Sequence, residues 1–524
     1  MLLLQFGRLF SGLRSSPDSS VQRWLEATHG AQVSRVRIEP CPPRGQGVTL
    51  ARRRARPGDE LFKIPRSAIV TRAVVTADDE QSDFGSVMHE LCNAEQNGSA
   101  GEIMATAAWL LKQRGLAERG EWWPYLRSLP WDDMDSVLLW NDAELALLRG
   151  SSAYGEALAL RATVAASLPT LFHLFVRLRL PVILPDPDGE GDATVILSGD
   201  EPTAAFERAL RLAVALVTSR AFELGELGAC NLVPLLDMCN SATCTSDAHP
   251  FLYEADADAV VLRASSVLRR GVEIEDHYGV SSNAGLLVFF GYLVMDGPLE
   301  TRGVRLELSL DASDPLHPWK RRILRQRGLG GGPDGSDGAQ AANGAAPGAV
   351  EAYGADAVVS ASFEVFPPGG ALPEECKAFL RLAEVRQGTD AHARLEASDT
   401  PWDVLEGRFS IFDDLADEEA FLGAELERRA ASRLHSALTQ AVRRYARMSD
   451  GDASCMASSA VAQPLDEEQV VDPKRERLAR ALVAQELQAL TALQQAYGCA
   501  LEEAGPGEIT DLGDIASGVW ASTE

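Results

Sequence analysis

The sequence predicts an α+β protein: a β-rich domain that carries a helical insertion, followed by an all-α C-terminal domain. Three observations predict it. Short alternating apolar segments punctuated by Gly and Pro occupy residues 33–71 and again 231–277. Between them, from about 84 to 222, the texture is helical. Past residue 300 the apolar periodicity is again helical, interrupted by two low-complexity stretches. Strands that come in blocks and do not alternate with helices exclude a doubly wound parallel sheet.

Taken in order, residues 21–30 read as a short helix with Trp24 and Leu25 on its apolar side and Gly30 as its stop. Ser34 to Ile38 alternates as a strand does, and Arg44-Gly45-Gln46-Gly47 makes a tight turn. Pro57-Gly58-Asp59-Glu60 turns into a strand from Leu61 to Ile64 that Pro65 caps. In the helical block the segment Ala204 to Phe222 is clearest, with Leu210, Ala213, Val214 and Val217 at i, i+3, i+4, i+7. Strand texture returns at Asn231, continues through Phe251–Glu254 and Ala259–Arg263, turns over 266–271, and resumes from Val272 to Ile274. Leu422, Leu426, Leu434, Leu438, Val442 and Tyr445 mark a long amphipathic helix. A last helix starts at Pro473 behind the N-cap candidate Asp472 and is expected to stop at Gly498. The resulting division is an extension at 1–20 and a β-rich domain at 21–300 with its insertion at about 76–215. The helical domain covers 301–524, with flexible loops at about 328–349 and 449–470.

Composition narrows the function. A chain of 524 residues exceeds one ordinary core. Its net charge of −27 disfavours a nucleic-acid binder and suits basic peptide or protein partners. No stretch reads as a membrane span, so a soluble protein without membrane partners is expected. Eight Cys scattered singly read as reduced thiols. Cys230, Cys239, Cys244 and His249 lie close in sequence but match no standard zinc spacing, so no metal site is expected. HExxH, GxSxG and Walker A motifs are absent. Gly330-Gly331-Gly332 follows no apolar strand and precedes no Lys-Ser/Thr pair, so it is no phosphate cradle. The acidic run at 413–419 reads as a solvated helix start. The first seventeen residues carry a faint transit-peptide texture. The expected compartment is the cytoplasm, with plastid and mitochondrion left open.

The most informative residues are Asn231 to Asn240, reading NLVPLLDMCN, followed by His277-Tyr278-Gly279, Ser282-Asn283-Ala284 and Phe289-Phe290-Gly291-Tyr292. Upstream stand Trp122-x-Pro124-Tyr125-Leu126-x-x-Leu129-Pro130, Leu139-Trp140, Leu148-x-Gly150-Ser151 and Ser219-Arg220-Ala221-Phe222. This order resembles the SET-domain protein methyltransferases of the Rubisco large-subunit methyltransferase-like class, over residues of about 21 to 310 and more loosely beyond. The resemblance implies a SET domain with a helical insertion, S-adenosylmethionine as cofactor, and a C-terminal helical domain that binds a protein substrate, in a monomer. It implies Tyr278 as the catalytic tyrosine, and Arg44, Gln46, Asn240, Ser241 and Tyr278 at the cofactor. It places Arg220, Phe222, Asp237, Tyr253 and Phe290 near the target channel.

Three positions depart from that pattern. Ser241 replaces the His of the family's Asn-His pair, Arg44 stands where an acid is frequent, and Phe290 stands where many relatives have Tyr. An aromatic wall at Phe222 favours an alkylammonium by cation–π attraction, which points to lysine. The expected function is therefore protein-lysine N-methylation of a non-histone target. The alternatives are histidine N-methylation and an inactive binding protein of the same fold, the latter resting on Ser241.

Overall fold

A computed structural model describes residues 18–42, 44–77, 83–93, 98–132, 134–184, 193–242, 248–279, 282–295, 303–327, 329, 359–366, 372–406, 424–449 and 471–503. The elements begin with α1 (Asp18–His29), β1 (Val36–Pro40), β2 (Gln46–Leu50), β3 (Arg54–Ala55) and β4 (Glu60–Pro65). The helical block follows as α2 (Arg72–Thr76), α3 (Asp83–Asn93), α4 (Gly98–Leu116), α5 (Trp123–Leu126), α6 (Asp142–Ala146) and α7 (Ser152–Arg177). Then come β5 (Pro181–Leu184), β6 (Ala193–Ile196) and α8 (Ala204–Arg220). The second strand block holds β7 (Ala221–Phe222), β8 (Asn231–Leu232), β9 (Asn240–Ser241), β10 (Phe251–Glu254), β11 (Ala259–Arg263), β12 (Leu268–Arg269) and β13 (Glu273–Asp276). A short α9 (Asn283–Gly285) runs into a π-helical turn over Leu286–Phe290. The remainder is β14 (Val304–Ser309), α10 (His317–Gln326), β15 (Ser360–Val365), α11 (Glu374–Glu384), α12 (Asp390–Ala397), α13 (Pro401–Glu406), α14 (Ala424–Ser449) and α15 (Pro473–Glu503).

The chain divides into two compact units. The first comprises Met1–Leu139, Leu160–Gly279 and Phe289–Gly291. Its strands form small sheets in the orders β1-β2-β13-β9 and β10-β11-β4, with the pairs β3–β12, β5–β6 and β7–β8. Among the described residues the one parallel pairing is β9 on β13, with Glu275 opposite Asn240 and Asp276 opposite Ser241. Beside the sheets, α4 packs on α8, and aromatic contacts join α8 to α7 and, through Trp122, α4 to α1. Phe206 meets Phe172 at 5.6 Å and Phe175 at 5.4 Å, and Trp122 meets Trp109 at 5.5 Å and Trp24 at 5.6 Å. Each such buried aromatic contributes about 1.5–3 kcal/mol, so this cluster fixes the helix that delivers Arg220 and Phe222 to the strand block.

The second unit comprises Trp140–Ala159, Val280–Val288 and Tyr292–Glu524. It is helical with one added ribbon, β14 paired with β15. The α14–α15 hairpin buries Leu426, Leu434, Leu438 and Tyr445 against Leu490, Leu493 and Tyr497. A buried Arg381–Glu427 pair at 2.7 Å ties α11 to α14, with a second bond from Arg381 to the Leu405 carbonyl at 2.6 Å.

Several expectations from sequence change here. The stretch 266–271 contains β12, because Leu268 and Arg269 find partners in Ala55 and Arg54. A hairpin, β5–β6, lies inside the helical block. Helix α15 starts at Pro473, with the Asp472 side chain accepting from the Lys474 N–H at 2.6 Å, but it passes through Gly498 and ends at Glu503. Gly498 serves close packing instead: a Cβ there would lie 3.2 Å from His435 Nε2. Helix α7, rich in Ala and Leu, is long and apolar enough by length and composition to cross a membrane, which corrects the expectation that no segment is. The extension expected at 1–20 is shortened, because α1 begins at Asp18; residues 1–17, the acidic run at 413–419 and the loops at about 328–349 and 449–470 lie outside the described residues, apart from Leu329 and Ser449.

Candidate active site

The residues singled out by sequence fall on three adjoining pieces of the first unit. The first is an edge where the β1–β2 turn meets β9 and β13. The turn closes through Cys41 N–H to the Gly45 carbonyl at 2.6 Å, and Gly45 adopts a φ of +83° that suits only glycine well. At Gly47 a Cβ would sit 2.5 Å from Glu273 Oε1 and 2.9 Å from Asn240 Nδ2, so only glycine lets β2 approach these side chains. Asn240 Nδ2 donates to the Gln46 carbonyl at 3.1 Å and to Glu273 Oε1 at 2.7 Å. The Arg44 guanidinium ion-pairs with both Glu273 and Glu275 and donates to the Ser241 carbonyl at 3.1 Å. Arg44, Gln46, Asn240 and Ser241 thus form one hydrogen-bonded edge. Burial, reinforced by Glu273, pushes the Cys41 thiol up to about 11, so it is no nucleophile at neutral pH.

The second piece is a buried carboxylate. Leu235 sits at φ 77°, ψ −43°, a strained conformation for a residue with a Cβ. The turn it makes sends Asp237 inward. The Tyr125 hydroxyl donates to Asp237 Oδ2 at 2.8 Å, and Arg220 donates to the Asp237 carbonyl at 2.6 Å while lying 3.7 Å from Oδ2. Asp237 Oδ1 is buried with no hydrogen-bond partner. Burial raises this carboxyl to about 6, with Arg220 and Tyr125 pulling the other way.

The third piece is aromatic. The Tyr278 hydroxyl donates to the Cys239 carbonyl at 3.1 Å, and its ring stacks on Phe290 with centroids 4.4 Å apart and planes at 17°. Phe290 ends the π-helical turn, and Gly291 after it has a φ of +76° with the Asp135 carbonyl 2.6 Å from where a Cβ would be. Phe222 meets Phe251 edge-on at 5.3 Å. Asn231 holds that bend by donating to the Phe222 and Gly228 carbonyls at 3.0 and 2.8 Å. The Tyr253 hydroxyl is turned to Asp258 of its own hairpin, at 2.5 Å.

The segment 237–241 joins the pieces: Asp237 faces Tyr125 and Arg220, the Cys239 carbonyl receives Tyr278, and Asn240-Ser241 meets the Arg44 edge. Sequence reasoning missed Glu273 and Glu275 as the partners of Arg44, and Tyr125 and Asn231 as the residues that hold Asp237 and Phe222. Two acids at i and i+2 on a strand were the available signal for the first pair, since they share a face. Among the described residues no three His, Cys, Asp or Glu side chains group as a metal site.

No family model matches the chain, and no curated protein sequence matches it. Solved structures do. A structure of Rubisco LSMT bound to AdoMet is similar at a TM-score of 0.58 and 19% identity, covering 94% of this chain and 93% of that one. The SET domain of LSMT bound to lysine and AdoHcy is similar at 0.59 and 18% identity, covering 96% and 99%. The chain has the SET-domain fold. Rubisco LSMT bound to sinefungin and monomethyllysine also aligns, at 0.58 and 19% identity, over 97% of this chain and 100% of that one. In this SET fold the β9–β13 edge and the Tyr278–Phe290 stack belong to the same compact unit.

Proposed function

We propose that the chain is an S-adenosylmethionine-dependent protein-lysine N-methyltransferase. The observation that carries the reading is the Tyr278 ring, locked by its stack on Phe290 and by its bond to the Cys239 carbonyl, directly beside the Arg44–Asn240–Ser241 edge. Among the similar solved structures one is bound to AdoMet and two are bound to AdoHcy with lysine or methyllysine, which supports the same pairing here. The residues present fit such a cofactor through their backbone: the Gln46 and Ser241 carbonyl oxygens each accept one bond and keep a second lone pair for an ammonium group, on an edge that the Arg44 ion pairs with Glu273 and Glu275 hold together. Gln46, Asn240, Ser241 and Arg44 would hold it. When bound, it supplies a methyl group on a sulfonium.

The chain's own residues then have three tasks. Tyr278 and the Cys239 carbonyl orient the amine lone pair and hold the methyl by weak C–H···O contacts. Phe222 and Phe251 present an aromatic wall that attracts an alkylammonium and excludes water. Burial of the amine lowers its pKa, so the nucleophile sheds its proton without a strong base. The target is a non-histone protein, held by the helical unit, and the protein works as a cytoplasmic monomer.

A second reading, an inactive binding protein of the same fold, draws on two observations: Ser241 spends its hydroxyl on the Ala242 carbonyl at 3.2 Å, and Phe290 brings no hydroxyl. Incubation with methyl-labelled S-adenosylmethionine and a whole-protein extract, then mass spectrometry of the labelled band, tests the proposal. Label on lysine supports it. Label on histidine would overturn the choice of amino acid, and no label together with no cofactor binding would favour the binding protein.

A further inference from the structure

Helix α10 reads HPWKRRILRQ and concentrates cations in a chain whose net charge is −27. Its two faces are distinct. One buries Lys320, Ile323 and Leu324, with Lys320 neutralised by Asp314 at 2.5 Å and by the Ala383 carbonyl at 2.7 Å. Pro318, Arg321, Arg322 and Arg325 of the other face, with the buried His317 at its border, line a cavity of about 330 Å³. That volume falls at the lower end for small-molecule sites.

Arg322 and Arg325 have no acidic partner among the described residues, whereas Arg327, just beyond, pairs with Glu406 and Glu375. His317 is 7% exposed, lines the same cavity, and has a buried Nε2 with no hydrogen-bond partner. A buried polar atom without a partner is costly, and the natural remedy is a ligand that supplies one. The Arg322 and Arg325 guanidinium forks and the His317 imidazole suit tetrahedral oxyanions, because the planar fork donates two parallel N–H bonds to adjacent oxygens. The scale excludes a long polyanion: one helical face of four cationic or potentially cationic groups is too small a track for nucleic acid.

We propose that the Arg322–Arg325 face of α10, with His317 at its buried border, is a binding site for a small phosphate-bearing molecule, and that His317, Arg322 and Arg325 are its donors. The phosphates could belong to a free polyphosphate or to a nucleotide. This site is independent of the methyl-transfer reading and would stand if that reading failed.

The test is calorimetric titration of the full chain with tripolyphosphate at 150 mM salt, with ATP and citrate as parallel arms. The expected result is one saturable site per chain, at least tenfold weaker in the exposed-residue double variant Arg322→Ala/Arg325→Ala, whose melting temperature without ligand stays at the wild-type value. His317→Gln, which keeps a donor in the pocket, should weaken binding less than the double variant. Equal affinity for tripolyphosphate and ATP would assign the site to phosphates alone, and tighter ATP would assign it to a nucleotide. The proposal is overturned if tripolyphosphate gives no saturable binding, if citrate binds as tightly, or if the double variant binds like wild type.

Discussion

At the residue scale, Gly47 is the glycine that constrains the Arg44 edge. An added methyl would fall within contact of Glu273, Cys41 and Asn240, all of them side chains that belong to the Arg44 edge. Gly47→Ala is therefore expected to cost about 1–3 kcal/mol, the usual range for overpacking, and to weaken cofactor binding as the edge spreads. Urea unfolding followed beside cofactor titration checks both; an unchanged midpoint with unchanged affinity would contradict it. Asp237 carries a different prediction. Its native pKa, raised to about 6, lies above the ordinary 3.8, so the folded state holds the proton more tightly than the unfolded one. Its contribution is then most favourable below about pH 4 and is lost as pH rises through about 6. Asp237→Asn should remove that slope while the Tyr125 bond survives, and a variant with the wild-type pH dependence of stability would count against the assignment. The sequence made Asp237 visible as a candidate, but not its burial: that depends on Leu235 adopting a positive φ, which no residue type signals.

At the scale of elements, legibility followed periodicity. Helix α8 was readable because its apolar stripe runs unbroken over Ala204–Arg220, and the start of α15 because Asp472 and Pro473 punctuate it. Strands β3 and β12, of two residues each, exist only through each other, and their pairing is invisible to any local pattern. The π-helical turn that carries Phe290 reads as ordinary helix in sequence. Glu273 and Glu275, the acid partners of Arg44, escaped for the same reason, since they lie far from it in the chain. Glu486 on α15 gives this scale its own test. It accepts from the Ser152 N–H at 3.3 Å and from the Tyr445 hydroxyl at 2.9 Å, tying the start of α7 and α14 to α15, and burial raises it to about 7 from 4.5. Stability contributed by this group is present below about pH 4.5 and lost as pH rises through about 7. Glu486→Gln, which keeps an acceptor oxygen, should be more stable than wild type at pH 8 and lose that advantage at pH 4. Equal wild-type and variant urea midpoints at both pH values would refute this.

At the scale of the whole molecule, the methyl transfer proposed for this SET-fold chain would need neither a metal nor a covalent enzyme intermediate. Incubation with EDTA is accordingly expected to leave both the melting temperature and methyl transfer unchanged, and a chelator-sensitive activity would contradict that. The acidic balance of −27 suits capture of a basic protein target, so transfer to protein should weaken as salt screens the attraction. The measurement that bears most directly on the central claim compares wild type with Tyr278→Phe, reading labelled-methyl transfer to protein alongside equilibrium binding of S-adenosylmethionine. The account predicts that the variant binds the cofactor within about threefold of wild type yet transfers methyl at least about a hundredfold more slowly, a barrier increase of roughly 2.7 kcal/mol. Transfer at the wild-type rate by Tyr278→Phe, or no transfer together with no cofactor binding by wild type, would contradict it.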